Sequence, residues 1–402
     1  MTAATPLSQL GELTVRQFLR RHWQRQPLLL RQSQPDLPEG ITTRVVFALA
    51  RDPDVESRLV VAPQEIARPQ TERAASASHG DPAWKLRHGP FPRLPPRSRP
   101  GWTLLVQGVD LHLPQARTLM DRFRFIPDAR LDDLMISYAT DGGGVGPHVD
   151  SYDVFLLQLQ GRRRWRISPP GPARLVPDAP IKVLADFRSR QSWLLEPGDM
   201  LYLPPGWAHE GTAVGECMTC SIGFRSPTAA QLRQAFHAFL ADNPPPVDER
   251  THRYRDRTIV PTTRPAEIPP DMAQTLGGWL KQQPSRRLIE RFLGCYLTEP
   301  KPSVWFEPPQ PLVPLMPSAD QAAPALALDR RTRMLYRGGA CYLNGEAVEM
   351  AEADRASRTL LRTLADRRGL DAVQTARALR LPWLRDRLDD WLASGWLRRA
   401  GS

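Results

Sequence analysis

GGGVGPHVD, residues 142–150, and PPGWAHEG, residues 204–211, decide how this chain folds, because together they supply His148, Asp150 and a distant His209. In an extended strand residues two apart share a face, so His148 and Asp150 reach one point if Val149 turns away. The third group must come from a neighbouring strand, and the 58 residues between Asp150 and His209 are enough for several strands and turns. A doubled antiparallel sheet, the jelly roll of the cupin type, brings such segments side by side. Two imidazoles and one carboxylate in this order form a facial set for octahedral Fe(II), with the opposite side open for oxygen activation.

His-x-Asp alone is a short motif, and an exposed His beside a turn Asp has the same spelling. The flanks separate the two readings. Gly142, Gly143, Gly144, Gly146 and Pro147 allow close backbone approach and a sharp turn before the strand. Leu194–Gly211 reads as a strand, a turn at Gly198 and Asp199, a short strand Met200–Leu203, and a Pro-Pro-Gly turn that delivers His209.

Between the two halves, YDVFLLQLQGRRRWRI (152–167) reads as an apolar strand, a turn at Gln160 and Gly161, and a second strand. Val154, Phe155, Leu156, Leu157 and Leu159 suit a strand covered on both faces. Alternation puts Arg163 and Trp165 on one face of the second strand and Arg162, Arg164 and Arg166 on the other. An inward arginine needs an anion, and a guanidinium pairs bidentately with a carboxylate. A solvated basic edge strand is the other reading for Arg162 and Arg164.

Residues 132–167 and 196–211 resemble the JmjC-type ribosomal oxygenases, most of all the bacterial branch that hydroxylates an arginine of ribosomal protein L16 (uL16). The resemblance extends to RRHWQRQPLLLR (20–31), WTLLVQGVD (102–110) and SIGFRSP (221–227), and covers the rest of the chain only loosely. It implies an Fe(II)- and 2-oxoglutarate-dependent dioxygenase on a double-stranded β-helix (cupin, jelly-roll, JmjC) fold. His148, Asp150 and His209 would be the iron ligands. Arg163 would pair with the distal carboxylate of 2-oxoglutarate, assisted by the Ser137 hydroxyl. One atom of dioxygen would oxidise 2-oxoglutarate to succinate and carbon dioxide, and the other would hydroxylate C3 of one arginine in uL16. For that arginine, Asp141 and Tyr152 are candidate contacts by their closeness to the ligands in sequence. Their structural readings are a turn aspartate and a core tyrosine.

At 402 residues the chain has room for two or three domains. It has no apolar run of membrane-spanning length, and residues 1–15 lack a basic region followed by an apolar one, so a cytoplasmic protein is expected. Four cysteines are few, and Cys217-x-x-Cys220 lacks a second pair at zinc spacing, so reduced strand cysteines are expected. A net charge of +11 favours polyanionic surroundings such as RNA-rich ribosomal precursors without specifying them. His88 and His112 lie outside both halves of the triad and read as ordinary histidines.

Leu13–Leu30 reads as a helix opened by a capping box, Thr14 with Gln17, and packed on the barrel through Val15, Phe18, Leu19 and Trp23. Residues 81–100, rich in proline and arginine, read as a surface loop before the strand Trp102–Gln107. The expected organisation is a catalytic domain over 1–226, a helical region over 227–300 and a winged-helix-like domain over 301–402. Helical spacing appears in 227–242, 272–283 and 285–297, with a proline-rich break after the first. These helices either form a homodimer, as the resemblance suggests, or pack on their own barrel. PPQPLVP (308–314) opens the last stretch. Gly338-Gly339 and Asn344-Gly345 then bracket short strands, and 358–399 reads as two or three helices ending in a Gly395 turn and an apolar strand. From Arg355 to Ser402 there are 11 Arg against 5 Asp, which leaves nucleic-acid contact open, although winged helices also bind proteins. The rival functions are histidine hydroxylation of another ribosomal protein, N-methyl-lysine demethylation, and a nucleic-acid-binding regulator with the cupin as sensor.

Overall fold

The computed structural model describes residues 4–34, 36–63, 83–244, 270–281, 283–309, 315–316 and 322–400. They fall into two compact units: Met1–Ser226 with Pro300–Thr332 and Ala353–Ser402, and Pro227–Glu299 with Arg333–Glu352.

The first unit begins with a small hairpin, β1 (Gln9–Leu10) and β2 (Leu13–Thr14), leading into the helix Val15–Arg21. Ten strands follow: β3 (Leu28–Leu30), β4 (Ser57–Val61), β5 (Lys85–His88), β6 (Trp102–Val106), β7 (Leu131–Ala139), β8 (His148–Val149), β9 (Val154–Ser168), β10 (Gln191–Leu195), β11 (Met200–Leu203) and β12 (Ala208–Phe224). They form one sheet with two limbs. The main limb runs β3-β11-β9-β12-β7-β6-β4-β5, while β10 joins β9 and β8 joins β12 to make the second. β9 and β12 serve both. The start of β9 pairs with β11 and its end with β10, while β12 pairs first with β8 and later with β7.

The expected hairpin turn at Gln160 and Gly161 is instead a bend within the continuous β9. Gly161 takes φ +61°, Gly215 on the facing strand takes φ +73°, and the pairing slips between Val214 and Met218. A bulge of this kind bends a strand without ending it. Only glycine fits the bend, because a Cβ on Gly161 would stand 2.0 Å from the Glu216 carbonyl oxygen. Across the bend β9 changes partner, from β11 before it to β10 after it.

The core of the main limb is aromatic. The helix Val15–Arg21 has the expected capping box at Thr14 and Gln17, and its buried Phe18 packs against Phe155 and Tyr202. It is shorter than expected, because Leu28–Leu30 leaves the helical path to pair with β11. Val154 to Gln158 are buried on both faces, with Leu157 and Leu156 in different apolar clusters. The loop expected over 81–100 is corrected in part. Lys85–His88 pairs with β4 as an edge strand whose Lys85 and Arg87 face solvent, flanked by buried Trp84 and Phe91. Exposed charges on an outermost strand discourage further pairing, which is why its composition reads as loop. Residues 81 and 82 lie outside the described residues.

Later in this unit, β13 (Leu326–Leu328) pairs with β17 (Gly369–Leu370) and β18 (Leu397–Arg399) beside the helices Arg355–Arg367, Ala372–Leu379 and Pro382–Ala393. Arg124 donates to the carbonyls of Asp366 (2.7 Å) and Ala365 (3.1 Å) at the end of the first of these helices. Arg330 donates to the Leu111 carbonyl at 2.6 Å. The second unit holds the helices Ala229–Asp242, Pro270–Leu280 and Arg286–Thr298 and the meander β14 (Met334–Arg337), β15 (Ala340–Leu343) and β16 (Glu346–Glu349). Its β15–β16 turn is held by the Gly345 N–H donating to Thr298 Oγ1 at 3.0 Å. Most of the proline-rich break after Asp242, and residues 310–314 of PPQPLVP, lie outside the described residues. Among the described residues no helix is long and apolar enough to cross a membrane.

Candidate metal centre and anion pocket

His148 and His209 are cross-strand partners in the β8–β12 pair, with ring centroids 4.2 Å apart. Asp150 follows β8, and its Oδ2 lies 3.6 Å from His209 Nε2 and 4.0 Å from His148 Nε2. One ligand atom from each of the three falls within 4.8 Å of the others, the one such His/Cys/Asp/Glu group among the described residues. Val149 turns away and is 40% exposed. His148 Nδ1 lies 2.9 Å from the Gly146 carbonyl and His209 Nδ1 3.0 Å from that of Trp207. Each Nδ1–H is thereby held by its own loop, leaving Nε2 as the free donor atom of each ring. Burial, with help from His148, pulls the His209 pKa down to about 4 and keeps that imidazole neutral.

The glycine run earns its composition here. Gly142 donates to the Ala213 carbonyl and Ala213 to that of Gly143, which zips the loop onto β12. A Cβ on Gly144 would sit 2.5 Å from the Gly211 carbonyl oxygen. On the other side the Gly206 N–H of the Pro-Pro-Gly turn donates to the Asp150 carbonyl at 2.9 Å, so the loops carrying His209 and Asp150 are tied together.

Arg163 stands on β9 in the second limb and is 2% exposed, while Arg162 and Arg164 face solvent. Its Nη1 donates to Ser137 Oγ on β7 at 2.8 Å and, at 3.4 Å, to Thr219 Oγ1, and its Nη2 donates to the Gly211 carbonyl at 3.3 Å. Nε is buried without a partner, and among the described residues no carboxylate pairs with this guanidinium. Burial pulls its pKa down. A buried, unneutralised guanidinium is costly, and an anion joining it would offset that cost. A dicarboxylate reaching from Arg163 toward the triad suits these residues, and the mixed imidazole and carboxylate donor set suits Fe(II). Thr219 is missing from the sequence reading. It is the cross-strand partner of Ser137, which sheet register alone reveals.

The two candidate substrate contacts separate. The Asp141 carboxylate accepts the Gly215 N–H at 2.7 Å, at the bend of β12. Its neighbour Gly142 pairs with Ala213, four strand residues beyond His209, which is about 13 Å. Asp141 therefore serves the turn and is not gathered with the triad. Tyr152 is 39% exposed, and burial together with the charges of Asp150, Asp133 and Asp132 pushes its phenol pKa up. Those carboxylates bring in a residue that the sequence reading missed. Asp133 lies two pleats before Ser137 on the same face of β7, and its Oδ1 lies 3.5 Å from where a Gly223 side chain would begin. Period-two alternation from Ser137 was the available signal.

Comparisons with known proteins agree with this arrangement. The JmjC domain family matches residues 118–232, and the ROXA-like winged helix family matches residues 279–398. The ribosomal protein uL16 3-hydroxylase of Escherichia coli (strain K12) is 33% identical over 381 residues, covering 91% of this chain and 92% of that protein. A probable ribosomal oxygenase of Haemophilus influenzae is 34% identical over 223 residues, 54% of this chain and 50% of that one. Among solved structures, the X-ray structure of E. coli ycfD matches with a TM-score of 0.79 at 30% identity, covering 97% of this chain and 99% of that one. The same protein in complex with cobalt and 2-oxoglutarate matches with a TM-score of 0.76 at 28% identity over the full length of both. The fold is thus a JmjC cupin sheet followed by helices and a ROXA-like winged helix. With its HxD…H triad gathered and the relationship running nearly end to end, the chain belongs to the 2-oxoglutarate-dependent JmjC ribosomal oxygenases.

Proposed function

We propose that this chain is an Fe(II)-dependent hydroxylase that adds oxygen to C3 of an arginine in ribosomal protein uL16. The observation that carries the substrate reading is the placement of Asp133 on the sheet face that also bears Ser137, close enough for its charge to be felt by the Tyr152 phenol. A carboxylate beside an aromatic ring selects a long cationic side chain. The related E. coli protein, a uL16 3-hydroxylase, supports the same choice.

In this reading His148, Asp150 and His209 hold the metal, and Arg163 with Ser137 holds the distal carboxylate of 2-oxoglutarate, helped by Thr219. Bound there, Fe(II), 2-oxoglutarate and dioxygen would supply one oxygen atom for an unactivated carbon–hydrogen bond, with succinate and carbon dioxide as co-products. The chain's own part is positional. The Nδ1 bonds to Gly146 and Trp207 fix the imidazoles, the buried Arg163 orients the co-substrate, and Asp133 with Tyr152 steers the substrate side chain so that the target carbon faces the open side of the triad. We assign catalysis to 1–226, self-association to 227–300 and a winged-helix role to 301–402, in the cytoplasm. Exposed Met272, Leu276, Trp279 and Leu280 on one helix support a homodimer.

The test is aerobic incubation of the protein with Fe(II), 2-oxoglutarate and a uL16 segment, followed by fragment mass spectrometry. One oxygen atom added at an arginine, and its loss in His148→Ala, is the expected result. Oxygen on a histidine of another ribosomal protein, or loss of a methyl group from lysine, would move the chain to its rival chemistries. A protein that leaves every such substrate unchanged but binds RNA through 301–402 would be a regulator.

A further inference from the structure

We infer that Lys301 is a positioning residue for substrate binding, which holds the Asp133 carboxylate with one oxygen turned toward the substrate side chain. The inference rests on the arginine-hydroxylase reading above. Lys301 Nζ donates to Asp133 Oδ2 at 3.1 Å and lies 3.6 Å from Asp132 Oδ1. That bond occupies one oxygen and leaves the other facing the gap over Gly223. Among the described residues Oδ1 takes no hydrogen bond, and Gly223 puts no side chain in front of it. Asp133 is only 17% exposed, so its orientation is set by its neighbours and not by water.

The surroundings explain why a cation is needed. Asp133 shares its neighbourhood with Asp132, the fully buried Asp110, the Tyr152 phenol and the Cys220 thiol. Against these stand Lys301 and, on Asp132, Arg225 at 3.5 Å. Burial and the two aspartates push the Asp133 pKa up, and Lys301 is the main influence pulling it down. Removing the ammonium would free the carboxylate to rotate and favour its neutral form. A neutral acid loses its charge attraction for a guanidinium.

The sign of the pH effect follows. Lys301 lowers the Asp133 pKa, so Lys301→Met raises it, and the ionised fraction falls at a higher pH than in the parent enzyme. The measurement is hydroxylation of a uL16 peptide by the full-length, iron-loaded enzyme across pH, beside 2-oxoglutarate turnover without peptide. In Lys301→Met the KM for peptide should rise about tenfold or more, with kcat changed far less. The acid limb of kcat/KM should move to higher pH, and peptide-free turnover and the KM for 2-oxoglutarate should stay at parental values. Lys301→Arg, which keeps the charge, should restore most of the peptide affinity. Parental KM and pH profile in Lys301→Met would overturn the inference. So would an equal loss of peptide-free turnover, which would make Lys301 merely structural. If the parent enzyme leaves uL16 untouched, the functional reading fails first and takes this inference with it.

Discussion

Arg163 is the residue on which the co-substrate reading depends, and its burial makes a two-sided prediction. Truncating one partner of a buried, hydrogen-bonded charge pair costs about 2–5 kcal/mol of binding. Arg163→Met should therefore raise the 2-oxoglutarate requirement by roughly 30-fold or more, while Fe(II) binding to His148, Asp150 and His209 stays near parental. The protein without co-substrate should behave differently, because there the guanidinium has no counter-charge among the described residues. Replacing such a charge with an apolar side chain of similar length is neutral or stabilising. Thermal denaturation without ligand should thus show a Tm equal to or above that of the parent, and a large fall would show that another anion already neutralises Arg163. Ser137 and Thr219, which accept from the same Nη1, should give smaller losses as alanine variants.

At the level of elements, the glycine loop leaves no room for a side chain where it meets β12 beside the triad. Adding a Cβ to Gly144 puts it 2.5 Å from the Gly211 carbonyl, a backbone atom that cannot swing aside. The loop must lift, and overpacking of this kind costs about 1–3 kcal/mol. Gly144→Ala should lower Tm and weaken metal binding together, because the loop leads directly into His148. Gly211→Ala is the contrasting case. Its Cβ would stand 2.7 Å from Arg163 Nε and the Trp165 ring, so 2-oxoglutarate affinity should fall while calorimetry of Fe(II) binding changes little. These same elements show what the sequence discloses. The pairing of His148 with Asp150 and the turns at Gly198 and Gly206 are local, and strand alternation or turn chemistry spells them out, whereas His209 joins them only through the β8–β12 pairing and alternation alone leaves open which face of β9 is inward. Gly161 was misread because a φ-positive glycine within a strand and one in a hairpin turn look identical until the facing strand is seen to continue. The edge strand Lys85–His88 was hidden by charges that protect it. Asp133 was within reach of the alternation argument, whereas its partner Lys301 lies 168 residues away and no local rule connects them.

Over the whole molecule the chain passes from the first compact unit to the second and back twice, so neither is one contiguous stretch. This bears on how the C-terminal third can be removed. A chain ending at Glu299 would keep every triad residue, Arg163 and Ser137. It would lose the carbonyls of Ala365 and Asp366 that accept from Arg124, the Arg330 bond to Leu111, and Lys301 from Asp133. In the second unit it would strip β14–β16 from the helix Arg286–Thr298, where Gly294 lies under the Tyr342 ring. Both units would thus expose surfaces made to be covered, and each kcal/mol lost lowers Tm by about 2–4 °C in a domain of some 200 residues. The shortened chain should melt well below the parent, tend to aggregate and, on the proposed function, hydroxylate uL16 poorly, even where its Fe(II) affinity survives. A truncated chain with parental Tm and full hydroxylation would mean that residues 300–402 form an independent domain, and that the hydrogen bonds of Arg124, Arg330 and Lys301 contribute little.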